Sequence, residues 1–170
     1  MQLQRTKNIT LNFERKNLLY DIENYAYVEG DIMPADNENT RHQVIDIGQE
    51  GNVDRVTRIL DLAYAECVEF LYPYTKEMCE NLTTQGNELQ ETDVYVIEMA
   101  VDYDFSQTTI NLISRLIHEY MICRALGDWL RITNPANRSD WNSRAEDVKN
   151  KIRVRLHARC GKTRRRQTPF

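Results

Sequence analysis

The 22 residues from 149 to 170 contain no Asp or Glu. The chain has no two cysteines at CxxC spacing, only three histidines, and no apolar run near the roughly 20 residues that span a bilayer. The cysteine spacing argues against a zinc ribbon or a redox motif. The missing apolar run argues against a membrane protein, and the polar start Met1-Gln2-Leu3-Gln4-Arg5 is not a secretory signal. Cys67, Cys79, Cys123 and Cys160 are therefore expected as free thiols in a reducing cytoplasm.

The segment without acids holds nine bases: Lys149, Lys151, Arg153, Arg155, Arg159, Lys162, Arg164, Arg165 and Arg166. The whole chain has 22 basic and 26 acidic residues, so residues 1–148 keep 13 and 26. The body thus carries −13 and the C-terminal segment +9. An acidic body repels nucleic acid, while a basic tail seeks acidic surfaces or phosphate. A hydrophobic share of 41% with 28% charged residues suits one globular domain of 170 residues with a real core. Nine of the fifteen aromatics are Tyr, which suits interfaces and equally a core with satisfied hydroxyls.

Periodicity predicts a mainly α fold, a four-helix core with a small β-hairpin or sheet element. Ile9, Leu11 and Phe13 alternate, giving a strand over 8–13. Leu18, Ile22, Tyr25 and Ala26 share a helical face over 14–29, with Gly30 as its stop. Residues 30–50 read as an extended loop in which Gln43-Val44-Ile45 can form a short strand. Asn52 opens a second helix that runs to Tyr72, before Pro73, with a stripe at Val53, Val56, Leu60, Ala63, Tyr64, Cys67 and Leu71. Residues 73–92 read as a second extended loop, part of which can join the sheet. Val94, Val96, Met99 and Val101 mark a strand over 93–101. Ser106 caps a broad apolar helix reaching Thr133. Pro135 suits the first turn of the fourth helix, whose stripe is Trp141, Ala145, Val148, Ile152 and Leu156. Gly161 fits the end of that helix, which leaves one domain over 1–161 and a basic tail over 162–170.

No catalytic, cofactor or metal constellation emerges. His118-Glu119 opens like a zinc-protease motif, but position 122 is Ile. Asp102 and Asp104 suit a strand-to-helix turn, and Gly48-Gln49-Glu50-Gly51 lacks the lysine of a phosphate loop. The expectation is a non-enzyme. The alternative is an enzyme using Asp102, Asp104, His118 or Glu119. Arg153, Arg155 and Arg159 lie off the stripe of the fourth helix, as an exposed positive flank that Lys162, Arg164, Arg165 and Arg166 extend. These seven residues are the candidate contact with another subunit or a polyanion. The helix dipole accounts for two or three such charges but not for nine. No set of Asn, Gln and Arg displayed at helical spacing points to base reading.

Leu18-Leu19-Tyr20-Asp21-Ile22-Glu23-Asn24-Tyr25-Ala26 and Arg159-Cys160-Gly161-Lys162-Thr163-Arg164-Arg165-Arg166 resemble proteins of phages and prophages of gut bacteria. The order of elements is similar to the head–tail connector (adaptor) proteins of tailed phages. There a long central helix, matched by 110–129, is followed by a turn, matched by Asn134-Pro135, and another helix. The resemblance implies a structural virion protein without cofactor that forms a ring of about a dozen copies beneath the portal, around a DNA channel. Its partners would be other copies, the portal, further neck or tail proteins and, non-specifically, packaged DNA. It would assemble in the host cytoplasm and reside at the head–tail junction. The excursions at 30–50 and 73–92 have no counterpart in the family. A small nucleic-acid-binding protein that grips with its basic segment is the alternative.

Overall fold

The computed structural model describes residues 6–34, 38–80 and 92–157. The order is β1 (Thr6–Glu14), α1 (Arg15–Asp31), α2 (Glu38–Ile45), a single 3-10 turn (Asp46–Gly48), α3 (Glu50–Phe70), α4 (Tyr72–Glu80), β2 (Val94–Asp102), α5 (Gln107–Thr133) and α6 (Arg138–His157). Among the described residues the fold is mainly α with one two-stranded antiparallel sheet, as the periodicity predicts. No described helix is long and apolar enough to cross a membrane.

α5 is the axis of the molecule. Ser106 accepts from the Thr109 N–H at 3.2 Å and caps it, the role expected of that residue. Thirteen of its 27 residues are buried, spread around the whole circumference because α1, α2, α3 and α6 all pack on it. A four-residue turn, 134–137, folds α6 back as an antiparallel partner. α6 buries the stripe expected of it, Trp141, Ala145, Val148, Ile152 and Leu156. Pro135 lies in that turn, before the helix begins at Arg138, so it does not occupy the first helical turn.

The sheet forms by pairing Thr6 with Asp102 through to Glu14 with Val94, one residue against one. Leu11 and Phe13 share their inner face with Tyr95, Ile97, Met99 and Val101, all buried. The alternation expected for β2 is therefore shifted: Val94 is exposed and Val96 half-buried, while Met99 and Val101 face inward. The stretch from 94 to 97 is apolar at every position, so only Glu98 reveals which set faces water.

Both polar excursions contain helices where loops are expected. Gln43-Val44-Ile45 is the end of α2, not a strand. Val44 is buried there, and its carbonyl accepts the indole N–H of Trp129 at 3.1 Å, which ties α2 to α5. Gly30 is not a helix stop. It lies inside α1, where an added Cβ would stand 2.5 Å from Ile45 Cγ1, so its missing side chain lets α2 approach. α3 starts at Glu50 with Gln49 as its cap, while Asn52 donates to the Asp46 carbonyl at 2.7 Å. Pro73 stands in the first turn of α4, a position that needs no backbone donor. Buried Thr75 donates to the Val68 carbonyl at 2.8 Å and locks the α3–α4 corner. α4 packs on β2 without joining the sheet, and 81–91 lie outside the described residues.

Candidate functional site

The sequence directs attention to the C-terminal end of α6. Alternating basic and other residues on a helix of 3.6 residues per turn cannot form one row. Neighbours two apart are about 200° apart around the axis. Arg153 and Arg155 are both exposed, but they leave the buried stripe on opposite sides. The single positive flank expected from the sequence is thus two short ridges. Arg153 aligns with Lys149 and Arg155 with Lys151, each pair four residues apart. Val154 stands between the ridges on the outer face at 63% exposure, an apolar residue that nothing in this chain covers among the described residues. Arg159, Lys162, Arg164, Arg165 and Arg166 lie outside the described residues, as do Gly161 and Cys160.

Charge pairing separates these cations. Lys149 is engaged by its own chain: its ammonium lies 3.8 Å from Glu146 Oε1 and 5.6 Å from the centre of the Phe70 ring. No ion pair joins Lys151, Arg153 or Arg155 to a described carboxylate. Lys151 belongs with Arg155 in this set, and the spacing of four was the signal that marks it.

Two basic residues on or beside α5 behave differently, half-buried Arg124 and exposed Arg144. Arg124 gives a two-pronged bond to Glu66, Nε at 3.0 Å and a terminal nitrogen at 2.9 Å, and the Tyr120 hydroxyl donates to the same carboxylate at 2.8 Å. Burial alone would raise the Glu66 carboxyl, but these hydrogen bonds outweigh it and hold the group below its ordinary 4.5. Tyr120 is pushed up by burial and by that acceptor. Arg144 stacks on Tyr25 and Trp141 and pairs with Glu119. Glu29 accepts from Trp141 Nε1 at 3.2 Å and from Asn137 at 2.9 Å, which closes the α5–α6 turn onto α1.

The residues of the enzyme alternative do not come together. His118 is bonded to Asp21 at 2.7 Å, linking α5 to α1, and its ring lies 6.5 Å from that of Phe13. Glu119 is taken by Arg144. Asp102, the last residue of β2, and Asp104, in the turn after it, are both exposed, and the Phe105 N–H donates to the Asp102 carbonyl at 3.0 Å. Among the described residues no three His, Cys, Asp or Glu side chains are grouped to hold a metal ion. Burial pushes the Cys123 thiol up to about 12, with Glu119 adding to it, and raises Cys67 further.

Seven of the nine tyrosines fall into two groups, inward and exposed. Tyr64, Tyr95 and Tyr120 turn inward, with hydroxyls bonded to the Val96 carbonyl, Asp61 and Glu66. Tyr20, Tyr27, Tyr72 and Tyr103 are more than half exposed.

No protein-family model, curated protein or solved structure matches this chain.

Proposed function

We propose that this chain is a structural, ring-forming connector of a tailed-phage neck that joins portal to tail through its cationic C-terminal end. One observation carries the reading. The last turns of α6 expose Lys151, Arg153 and Arg155 in no ion pair with a described carboxylate, and the next eleven residues add five more bases. An acidic body of −13 on the same chain is the natural receiver on an adjacent copy. Head-to-tail contacts of this kind close into rings. The resemblance of element order to connectors supports the same reading. Other copies, the portal and neighbouring neck proteins are the partners, and the virion is the location.

Electron microscopy of the protein mixed with its portal tests this directly. Rings on the portal are the expected result, and deletion of residues 162–170 should prevent them. A protein that stays off the portal and is missing from purified virions would rule the reading out.

The same free cations keep nucleic-acid binding as the second reading. It requires affinity that falls steeply with salt, with a slope near 0.9 for each phosphate neutralised on duplex DNA. A protein that ignores DNA at low salt excludes it.

A further inference from the structure

A two-stranded sheet has two outer edges, and here they are treated differently. On β2 two of the outward backbone groups are met. The Tyr64 hydroxyl donates to the Val96 carbonyl at 2.6 Å, the Glu98 N–H points to Met78 Sδ at 3.5 Å, and α4 packs on the strand. In an antiparallel ladder, residues that face each other direct their backbone groups alike, both inward or both outward. Val96 faces Asn12 and Glu98 faces Thr10. Asn12 and Thr10, and by alternation Asn8, therefore direct N–H and C=O away from β2. No described element pairs with β1 on that side.

Natural edge strands are blunted by proline, by a bulge or by an outward charge. β1 has none of these devices between Asn8 and Phe13. Its nine residues pair one to one without a bulge. The ammonium of Lys7 is turned onto the Phe105 carbonyl at 2.6 Å. The side chains on the solvent face, Asn8, Thr10 and Asn12, are short, exposed and uncharged.

We infer that this edge pairs with the β1 strand of a second copy, antiparallel about a two-fold axis at Thr10, to make a four-stranded sheet. The strand is its own complement. In that register Thr10 meets its counterpart, Asn8 meets Asn12, Ile9 meets Leu11, Lys7 meets Phe13 and Thr6 meets Glu14. On the solvent face polar side chains stand opposite polar ones, Ile9 stands opposite Leu11, and no like charges are opposed. It is the one register that pairs all nine residues. The outward pairs Thr10–Thr10, Asn8–Asn12 and Asn12–Asn8 supply about six backbone hydrogen bonds. A contact of this kind is isologous, whereas ring closure is heterologous, so it goes beyond the connector reading and does not rest on it.

The test is sedimentation velocity of the full chain from low-micromolar to hundreds of micromolar, with hydrogen exchange of the Asn8, Thr10 and Asn12 amides. Wild type should dimerise, and those amides should gain protection as concentration rises. Thr10→Lys sets two ammonium groups face to face and should weaken dimerisation at least tenfold, as should Thr10→Glu. An equimolar mixture of the two variants should pair again. Thr10→Pro removes one outward N–H on an edge that tolerates proline, and should also leave a monomer. Deleting residues 158–170 should leave the dimer intact, which separates this contact from the one proposed for the arm. The inference fails if wild type is monomeric throughout, if Thr10→Lys dimerises as tightly as wild type, or if only a strand of another protein protects those amides.

Discussion

α5 and α6 lie side by side, yet they bury themselves in opposite styles. α5 buries 13 of 27 residues and touches neighbours on nearly every side, whereas α6 buries five of 20 in one narrow stripe. Half-buried polar groups of α5 find partners on other elements, as Arg124 does in Glu66 and His118 in Asp21. The last turns of α6 leave their cations unanswered among the described residues. A helix that packs on all sides has its sequence set by the fold. A helix that packs on one stripe leaves the rest of its surface to something outside the chain.

Substitutions break or sharpen that contrast in a graded series. Leu126→Ala in α5 and Ile152→Ala in α6 remove fully buried aliphatic side chains, and each should cost about 2–5 kcal/mol in denaturant unfolding. Equal losses would show that the narrow stripe of α6 is as firmly held as the broad face of α5. Gly30→Ala forces a Cβ against Ile45 and the Arg41 carbonyl, for about 1–3 kcal/mol, read as a lowered Tm. Glu66→Gln should cost about 1–2 kcal/mol by weakening the bonds from Arg124 and Tyr120, a value reduced by partial exposure of the pair.

Glu66 also gives the contrast a pH signature. Its carboxyl titrates lower in the folded chain than in the unfolded one. The stability it contributes is full above about 4.5 and fades as pH falls through the folded value. Wild type should therefore lose more stability than Glu66→Gln as pH drops below that point. The smallest effect belongs to Arg153→Ala with Arg155→Ala, which should change stability by less than about 0.5 kcal/mol. On the connector proposal, the same double variant should impair docking on the portal, read by microscopy of the mixture.

Helix periods were readable where one stripe of apolar residues alternates with polar ones. α6 is the clear case, since its five buried residues are the five that spacing selects. The cap Ser106 was equally plain, because its role depends on residues three away. The pattern is silent where the deciding partner is distant in sequence. α2 offers only Val44 to the core, and what holds it is an indole 85 residues further on. Gly30 looked like a terminator because its true reason, the approach of Ile45, is a tertiary contact. The phase of β2 was obscured by apolar residues on both faces, with Glu98 as the sole marker. At the candidate site the identity of the cations was plain. Their splitting into two rows needed the angular step of the helix.

That splitting constrains whatever binds there. A flat anionic sheet laid against α6 could touch Arg153 or Arg155 but would turn its back on the other. To profit from both, a receiver must straddle the helix like a saddle, with Val154 under its ridge, or two separate receivers must each take one side. A helix end gripped from both sides cannot roll about its own axis, and so it would fix the angle at which one subunit leaves the next.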